Sequence, residues 1–152
     1  MTPLLQFVVI DDNLAELFLI TEVFATFSTQ VTLVTYQSGE AALKAMQMPR
    51  AVCPDILLLD INMPGISGFE VLKTIKADEH LKLIPVVMLT TSVAAEDIVQ
   101  AYSLLANSYL VKSTHFSSFV QQIESLVNYW TTTRLPTWPA PVEVTTTLSI
   151  KD

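Results

Sequence analysis

Five short runs of aliphatic and β-branched residues, each followed by a longer stretch of helical period, occupy the first 130 positions of the chain. The runs lack the in-and-out alternation of a strand with one wet face. They therefore predict strands covered on both sides, and such strands are parallel and joined by crossover helices. Strands are predicted over Gln6–Asp11, Val31–Tyr36, Asp55–Asp60, Pro85–Thr90 and Ser108–Val111. Helices are predicted over Asn13–Phe27, Gly39–Met46, Gly68–Ala77, Ala94–Leu105 and Thr114–Trp130. Asn13, Ser38 and Ser67 are expected to cap the first three, since each carries a side-chain oxygen that accepts an orphan backbone N–H. In the last helix Phe116, Phe119, Val120, Ile123, Leu126, Val127 and Trp130 form a stripe that should pack on the sheet, leaving a face of mostly Ser and Gln. The expected fold class is α/β, with five parallel strands in one doubly wound sheet.

A chain of 152 residues that is 51% hydrophobic suffices for one buried core. The net charge of -7, from 15 acidic against 8 basic residues, argues against nucleic acid as partner, because phosphate neutralisation needs clustered Lys and Arg. Cys53 is the single cysteine, and Met1-Thr2-Pro3 opens neither a basic nor a long apolar segment, so a cytoplasmic protein is expected. No apolar stretch approaches the roughly 20 residues that cross a bilayer, so no membrane contact is expected. After Trp130 the character changes to Thr131-Thr132-Thr133-Arg134 followed by Pro136, Pro139 and Pro141, none of which continues a helix. The expected division is a domain over 1–130 and an extension over 131–152. In that extension Val142, Val144, Thr146, Leu148 and Ile150 alternate with polar residues, a strand signal without a partner strand in its own domain.

Four of the apolar runs end on residues that carry chemistry: Asp11-Asp12, Asp60, Thr90 and Lys112. In an open α/β sheet the ligand site lies beyond the carboxyl ends of the strands, so these side chains should meet. Carboxylates gathered so closely repel and raise a pKa unless a cation joins them. Magnesium suits such a site, taking oxygen ligands octahedrally and keeping several waters. Asp12 and Asp60 are the expected direct ligands, with the Asn62 backbone carbonyl and a water held by Asp11 completing the set. Phosphoryl transfer requires mainly alignment and charge neutralisation. Asp60 is then the nucleophile, Lys112 balances the phosphoryl oxygens, and the Thr90 hydroxyl donates a hydrogen bond. The donor must be an activated phosphoryl group, and phosphohistidine fits. With only 3 glycines there is no glycine-rich phosphate loop, so nucleotide binding has no support.

From about residue 5 to residue 130 the chain resembles the receiver domain of two-component response regulators. The resemblance rests on Asp11-Asp12, on Asp60 with Met63-Pro64-Gly65 behind it, on Leu89-Thr90 and on Tyr109-x-x-Lys112, in that family's order and approximate spacing. It implies a flavodoxin-like (βα)5 fold with strand order 2-1-3-4-5, phosphorylation of Asp60 by a histidine kinase, and Tyr109 as an aromatic switch coupled to Thr90. One residue departs from the pattern: Ser113 follows Lys112 where receivers usually carry proline. The approach of Lys112 to the site therefore stays open at this point. Within the family, the charge-poor last helix ending Asn128-Tyr129-Trp130 and the segment Leu105–Lys112 are similar to stand-alone regulators paired with bacterial phytochrome kinases. A light-regulated kinase is implied, docking near helix one through Leu14, Ala15 and Phe18 and the loop at Ser113.

With no second domain expected, the signal must leave by protein contact. Between Ile98 and Thr133 the only Asp, Glu, Lys or Arg residues are Lys112 and Glu124, and Tyr102, Tyr129 and Trp130 add aromatic area of the kind interfaces favour. A homodimer through helices four and five is expected, with the alternating tail crossing to the neighbour. Each site residue also has an ordinary reading alone: Asp11-Asp12 as a helix start, Asp60 as a turn residue, Thr90 and Lys112 as strand-end polar groups. Two alternatives remain, a phosphorylation-independent adaptor of receiver shape and an aspartyl-phosphate hydrolase. The latter usually carries a second acid where Asn62 stands.

Overall fold

The computed structural model describes residues 4–51 and 53–136. The alternating segment Val142–Ile150 lies outside the described residues. Five strands, β1 (Leu5–Ile10), β2 (Val31–Tyr36), β3 (Ile56–Leu59), β4 (Val86–Thr90) and β5 (Ser108–Val111), form one sheet in the order β2-β1-β3-β4-β5. All neighbours are parallel, with Ile10 opposite both Tyr36 and Leu59, and Thr90 opposite Val111. Between and after them run α1 (Leu14–Ala25), α2 (Gly39–Met46), α3 (Gly68–Ala77), α4 (Ala95–Ser103) and α5 (Phe116–Thr131). This is the expected flavodoxin-like (βα)5 arrangement.

The continuous apolar character of the strands has a simple cause. Val8, Ile10, Leu57, Leu59, Val86 and Met88 point to one face, where Ala42, Met46, Val71, Leu72, Ile75 and Ala101 of α2, α3 and α4 cover them. Phe7, Val9, Ile56, Leu58, Val87 and Leu89 point to the other, under Leu17, Ile20, Val23 and Phe24 of α1 and Phe119, Ile123 and Val127 of α5. In the central strands β1, β3 and β4 successive side chains enter opposite layers, so neither parity can be polar there, whereas the edge strand β2 exposes Thr32 and Thr35.

The caps hold as expected: the side chains of Asn13, Ser38 and Ser67 accept from the N–H groups of Glu16, Ala41 and Glu70. Several boundaries move by one or two residues. Thr26 and Phe27 close α1 with turn hydrogen bonds to Val23 and Phe24, Ala94 precedes α4, and α5 starts at Phe116 rather than Thr114. Asp55 and Asp60 flank β3 yet still donate to the carbonyls of Gln6 and Ile10. Helix α4 closes with Leu105 N–H on the Tyr102 carbonyl and Ala106 N–H on the Ala101 carbonyl, which puts Leu105 at φ 73°, a conformation glycine adopts more readily.

On α5 one residue of the stripe, Phe116, departs from expectation, while Trp130 follows the stripe and not the outer interface also expected of it. Phe116, at the first position of α5, is exposed. Trp130, expected to add to an outer interface, is only 7% exposed and belongs to the core beneath α1 and α5, with Tyr129 packed edge-on against it. Among the described residues no helix is long and apolar enough to cross a membrane.

Glycine 68 opens α3 directly behind the end of β3. Its N–H donates to the Ile61 carbonyl at 2.8 Å, and a Cβ there would stand 2.0 Å from the Asp60 carbonyl oxygen. Gly68→Ala should therefore displace the Asp60 backbone and cost about 1–3 kcal/mol, as overpacking does. A urea midpoint equal to that of the wild type would contradict this packing.

Candidate functional site

The last rungs of the sheet set the positions of the polar strand ends. Asp11 N–H donates to the Tyr36 carbonyl at 3.1 Å, Asp60 N–H to the Ile10 carbonyl at 3.0 Å, and Lys112 N–H to the Thr90 carbonyl at 2.8 Å. Because the strands are parallel and in register, these bonds bring Asp11, Asp60, Thr90 and Lys112 to a common edge. Asp11, Asp60, Thr90 and Lys112 are the only buried polar or charged residues among the described residues. Burial of such groups is costly unless they are paired. For these four residues that cost is concentrated at one place.

Asp12 is exposed beside them, and carboxylate oxygens of Asp11, Asp12 and Asp60 lie within 4.8 Å of one another. Asp60 Oδ1 accepts from the Ile61 N–H at 2.9 Å, while its Oδ2 faces the Lys112 ammonium at 3.7 Å. Burial pushes the Asp60 carboxyl above the usual carboxylate range, and the negative charge of Asp11 adds to it; Lys112, the Thr90 hydroxyl and the Ile61 N–H work in the opposite direction. The repulsion expected between clustered acids is thus present, but dehydration is the larger cause. Asn62 lies in the exposed loop two residues beyond Asp60. Oxygen donors alone, so closely set and with an excess of negative charge, fit a hard divalent cation such as magnesium.

Lys112 reaches the site although serine follows it. Its Nζ donates to Asp11 Oδ2 at 2.6 Å and to Glu16 Oε2. Burial alone would lower the pKa of this ammonium, but the carboxylates of Asp11 and Glu16, with Asp60 beyond them, outweigh it and raise the value. The side-chain amide of Gln122 on α5 secures the loop on both sides of the lysine. It donates to the Val111 carbonyl at 2.7 Å and accepts from the Ser113 N–H at 2.9 Å. A proline at 113 has no N–H to offer, so the departure from the family pattern is matched by a partner on α5.

Glu16 and Gln122 escaped the reading of the sequence. Glu16 did carry a signal: it stands four residues before Ile20 on the buried stripe of α1, an odd place for an acid. Gln122 carried none, being one of several Gln and Ser residues on its helix.

Toward the surface, the Thr90 end leads into the loop before α4. The Tyr109 hydroxyl donates to the Ser92 carbonyl at 2.9 Å, and the Ser92 hydroxyl donates to Asp97 Oδ2 at 2.6 Å. Tyr109 is half-buried against the core cluster on the α2, α3 and α4 side. It therefore touches both the segment that follows Thr90 and the helix face next to it.

Comparison with known proteins agrees with this geometry. The response regulator receiver domain profile matches residues 7–124. The chain is 34% identical over 128 residues to the response regulator Rcp1 of Synechocystis sp., covering 80% of this chain and 85% of that one. It is 36% identical over 124 residues to the probable methanogenesis regulatory protein FilR2 of Methanothrix harundinacea, covering 80% of each. Among solved structures, the phosphorylated cyanobacterial phytochrome response regulator RcpA superposes with a TM-score of 0.83 at 36% identity, over 89% of this chain and 100% of that one. The Mn²⁺-bound form of Rcp1 superposes with a TM-score of 0.81 at 33% identity, over 87% and 99%.

Two measurements check the electrostatics. Because the folded protein holds the Asp60 proton more tightly than the unfolded chain does, this group's contribution to stability is full below the unfolded carboxylate's pKa. It is lost as pH rises through the folded value. Asp60→Asn should therefore melt at least as high as the metal-free wild type at pH 7, with the difference shrinking as pH is lowered; a lower melting temperature at pH 7 would contradict it. Gln122→Ala leaves the Val111 carbonyl and the Ser113 N–H without their partner. It should cost about 1–3 kcal/mol by chemical denaturation, and no loss would show the clasp to be idle.

Proposed function

The chain belongs to the response regulator receiver family, and from that membership we propose that Asp60 accepts a phosphoryl group from a sensor histidine kinase in a magnesium-dependent reaction. The observation that carries the reading is the convergence of every buried polar residue described on one pocket at the carboxyl ends of the strands. Asp60 Oδ2, the oxygen not held by the Ile61 N–H, attacks phosphorus. An O–P bond forms, the P–N bond of the phosphohistidine breaks, and the electron pair stays on the imidazole nitrogen, which takes up a proton. Lys112 turns its ammonium to the phosphoryl oxygens and the Thr90 hydroxyl donates to another. Asp12, Asp60 and the Asn62 carbonyl, with Asp11 acting through water, would hold the metal. When bound, it supplies the positive charge that offsets carboxylates and phosphoryl oxygens together.

The output of this reading is a change of surface rather than an enzymatic reaction. As Thr90 is drawn to the phosphoryl group, the loop containing Ser92 moves with it and Tyr109 turns inward, reshaping the α4, β5 and α5 face. That face suits contact with protein: Val99, Tyr102, Leu105 and Tyr129 are exposed, and charged residues are scarce between Ile98 and Thr133. We propose a homodimer through α4 and α5, formed by a receiver domain over 1–130 and joined by the extension 131–152, in a cytoplasmic protein. On α1, Leu14 and Phe18 are 61% and 65% exposed beside the pocket, an apolar surface suited to a kinase. The likeness to RcpA, a phytochrome response regulator, supports a bacterial phytochrome as that kinase.

Incubation with a small acyl phosphate or a phosphorylated histidine kinase, followed by mapping of the modified residue by mass spectrometry, tests the proposal. Asp60 should be modified only with magnesium present, and Asp60→Asn should carry no label. Modification at another residue, or none under any donor, would overturn it.

A further inference from the structure

We infer that Glu16 is a positioning residue that holds the Lys112 ammonium on the α1 side of the pocket and competes with the phosphoryl group for it. The inference rests on Asp60 being the phosphoacceptor. An ammonium has three N–H donors. Two of those on Lys112 are committed to Asp11 and Glu16, while the nearest Asp60 oxygen stands at 3.7 Å, outside hydrogen-bond distance. In this state the lysine is therefore turned toward α1.

The two carboxylates that hold it are not equivalent. Asp11 is 1% exposed and belongs to the acid cluster, and its Oδ1 is already tied to the Asn13 N–H at 2.9 Å. Glu16 lies outside that cluster. Its backbone is fixed in the first turn of α1 by the Asn13 cap, and its side chain is 24% exposed, so its end can rotate into water when the lysine leaves. A phosphoryl group on Asp60 needs Lys112 closer than the 3.7 Å it now keeps from Asp60 Oδ2, and its oxygens then compete with Glu16 for the ammonium's donors. Glu16 thus acts as a counterweight: it keeps the buried ammonium partnered before phosphorylation and sets how readily the lysine is given up. No other acid described shares Lys112 from outside the cluster.

The probe is beryllofluoride with magnesium, titrated into wild type, Glu16→Gln and Glu16→Ala by calorimetry. Both variants should bind the mimic more tightly, by roughly twofold to fivefold, the upper part of the range of a partly exposed ion pair. In a Lys112→Met background the same Glu16 substitutions should change affinity by less than about twofold, since the route through the lysine is gone. An equal gain in that background would show a general field effect and overturn the inference, as would unchanged or weaker binding in the single variants. Carbon NMR of the Glu16 carboxyl group in the wild type decides the matter if Lys112→Met abolishes binding. Its resonance should shift as the mimic binds, and a fixed resonance overturns the inference. Wild-type protein that takes up no beryllofluoride with magnesium would instead sink the phosphoacceptor reading itself.

Discussion

A single buried ammonium, Lys112, organises the carboxyl edge of this sheet. Its side chain is 4% exposed and has carboxylates of Asp11, Glu16 and Asp60 within ion-pair distance. A buried charge is tolerated only when partnered, and the partners come from three different elements: the end of β1, the first turn of α1 and the end of β3. The lysine itself is held at the end of β5 by the Gln122 clasp. Asp12 adds a further acid at the rim, so carboxylates outnumber the one ammonium. That imbalance makes the pocket receptive to a divalent cation, and the buried Asp60 carboxyl, raised above the usual carboxylate range, is one of the acids it would relieve.

The fold supplies this concentration of charge because everything around it is dry. Both faces of the central strands are sealed by helices, and polar residues have only the strand ends left to occupy. Thr90 sits fully buried at one of those ends. From there the path outward is short, through the Ser92 loop to the Tyr109 hydroxyl on one side and to Asp97 in the first turn of α4 on the other. These bonds connect the loop after Thr90 to the α4 and β5 surface, where Val99, Tyr102 and Leu105 are exposed.

Much of this was legible in the chain. The five apolar runs are all strands, but only β1, β3 and β4 are buried on both faces, while the edge strands β2 and β5 are partly covered; three helix starts were written in Asn13, Ser38 and Ser67. Asp11, Asp12, Asp60, Thr90 and Lys112 could be grouped because each closes a run, and parallel strands bring such closures together. What stayed hidden depends on distance in sequence and on helix ends. Glu16 and Lys112 are 96 positions apart and meet only once α1 is laid on the sheet. Gln122 looked like any polar residue of an outer face until the β5 loop lay against it. Phe116 and Trp130 fit the apolar stripe equally well, yet the first residue of α5 is exposed and Trp130, near its end, is buried.

The claim at the centre, that acids in excess around one lysine form a site for a hard divalent cation, is tested most directly by paramagnetic broadening. Manganese(II) added in small increments to ¹⁵N-labelled protein should first erase the amide signals of Asp11, Asp12, Asp60, Ile61 and Asn62, and magnesium should restore them. Broadening centred anywhere else, or signals at these positions that survive a full equivalent of manganese, would contradict the account.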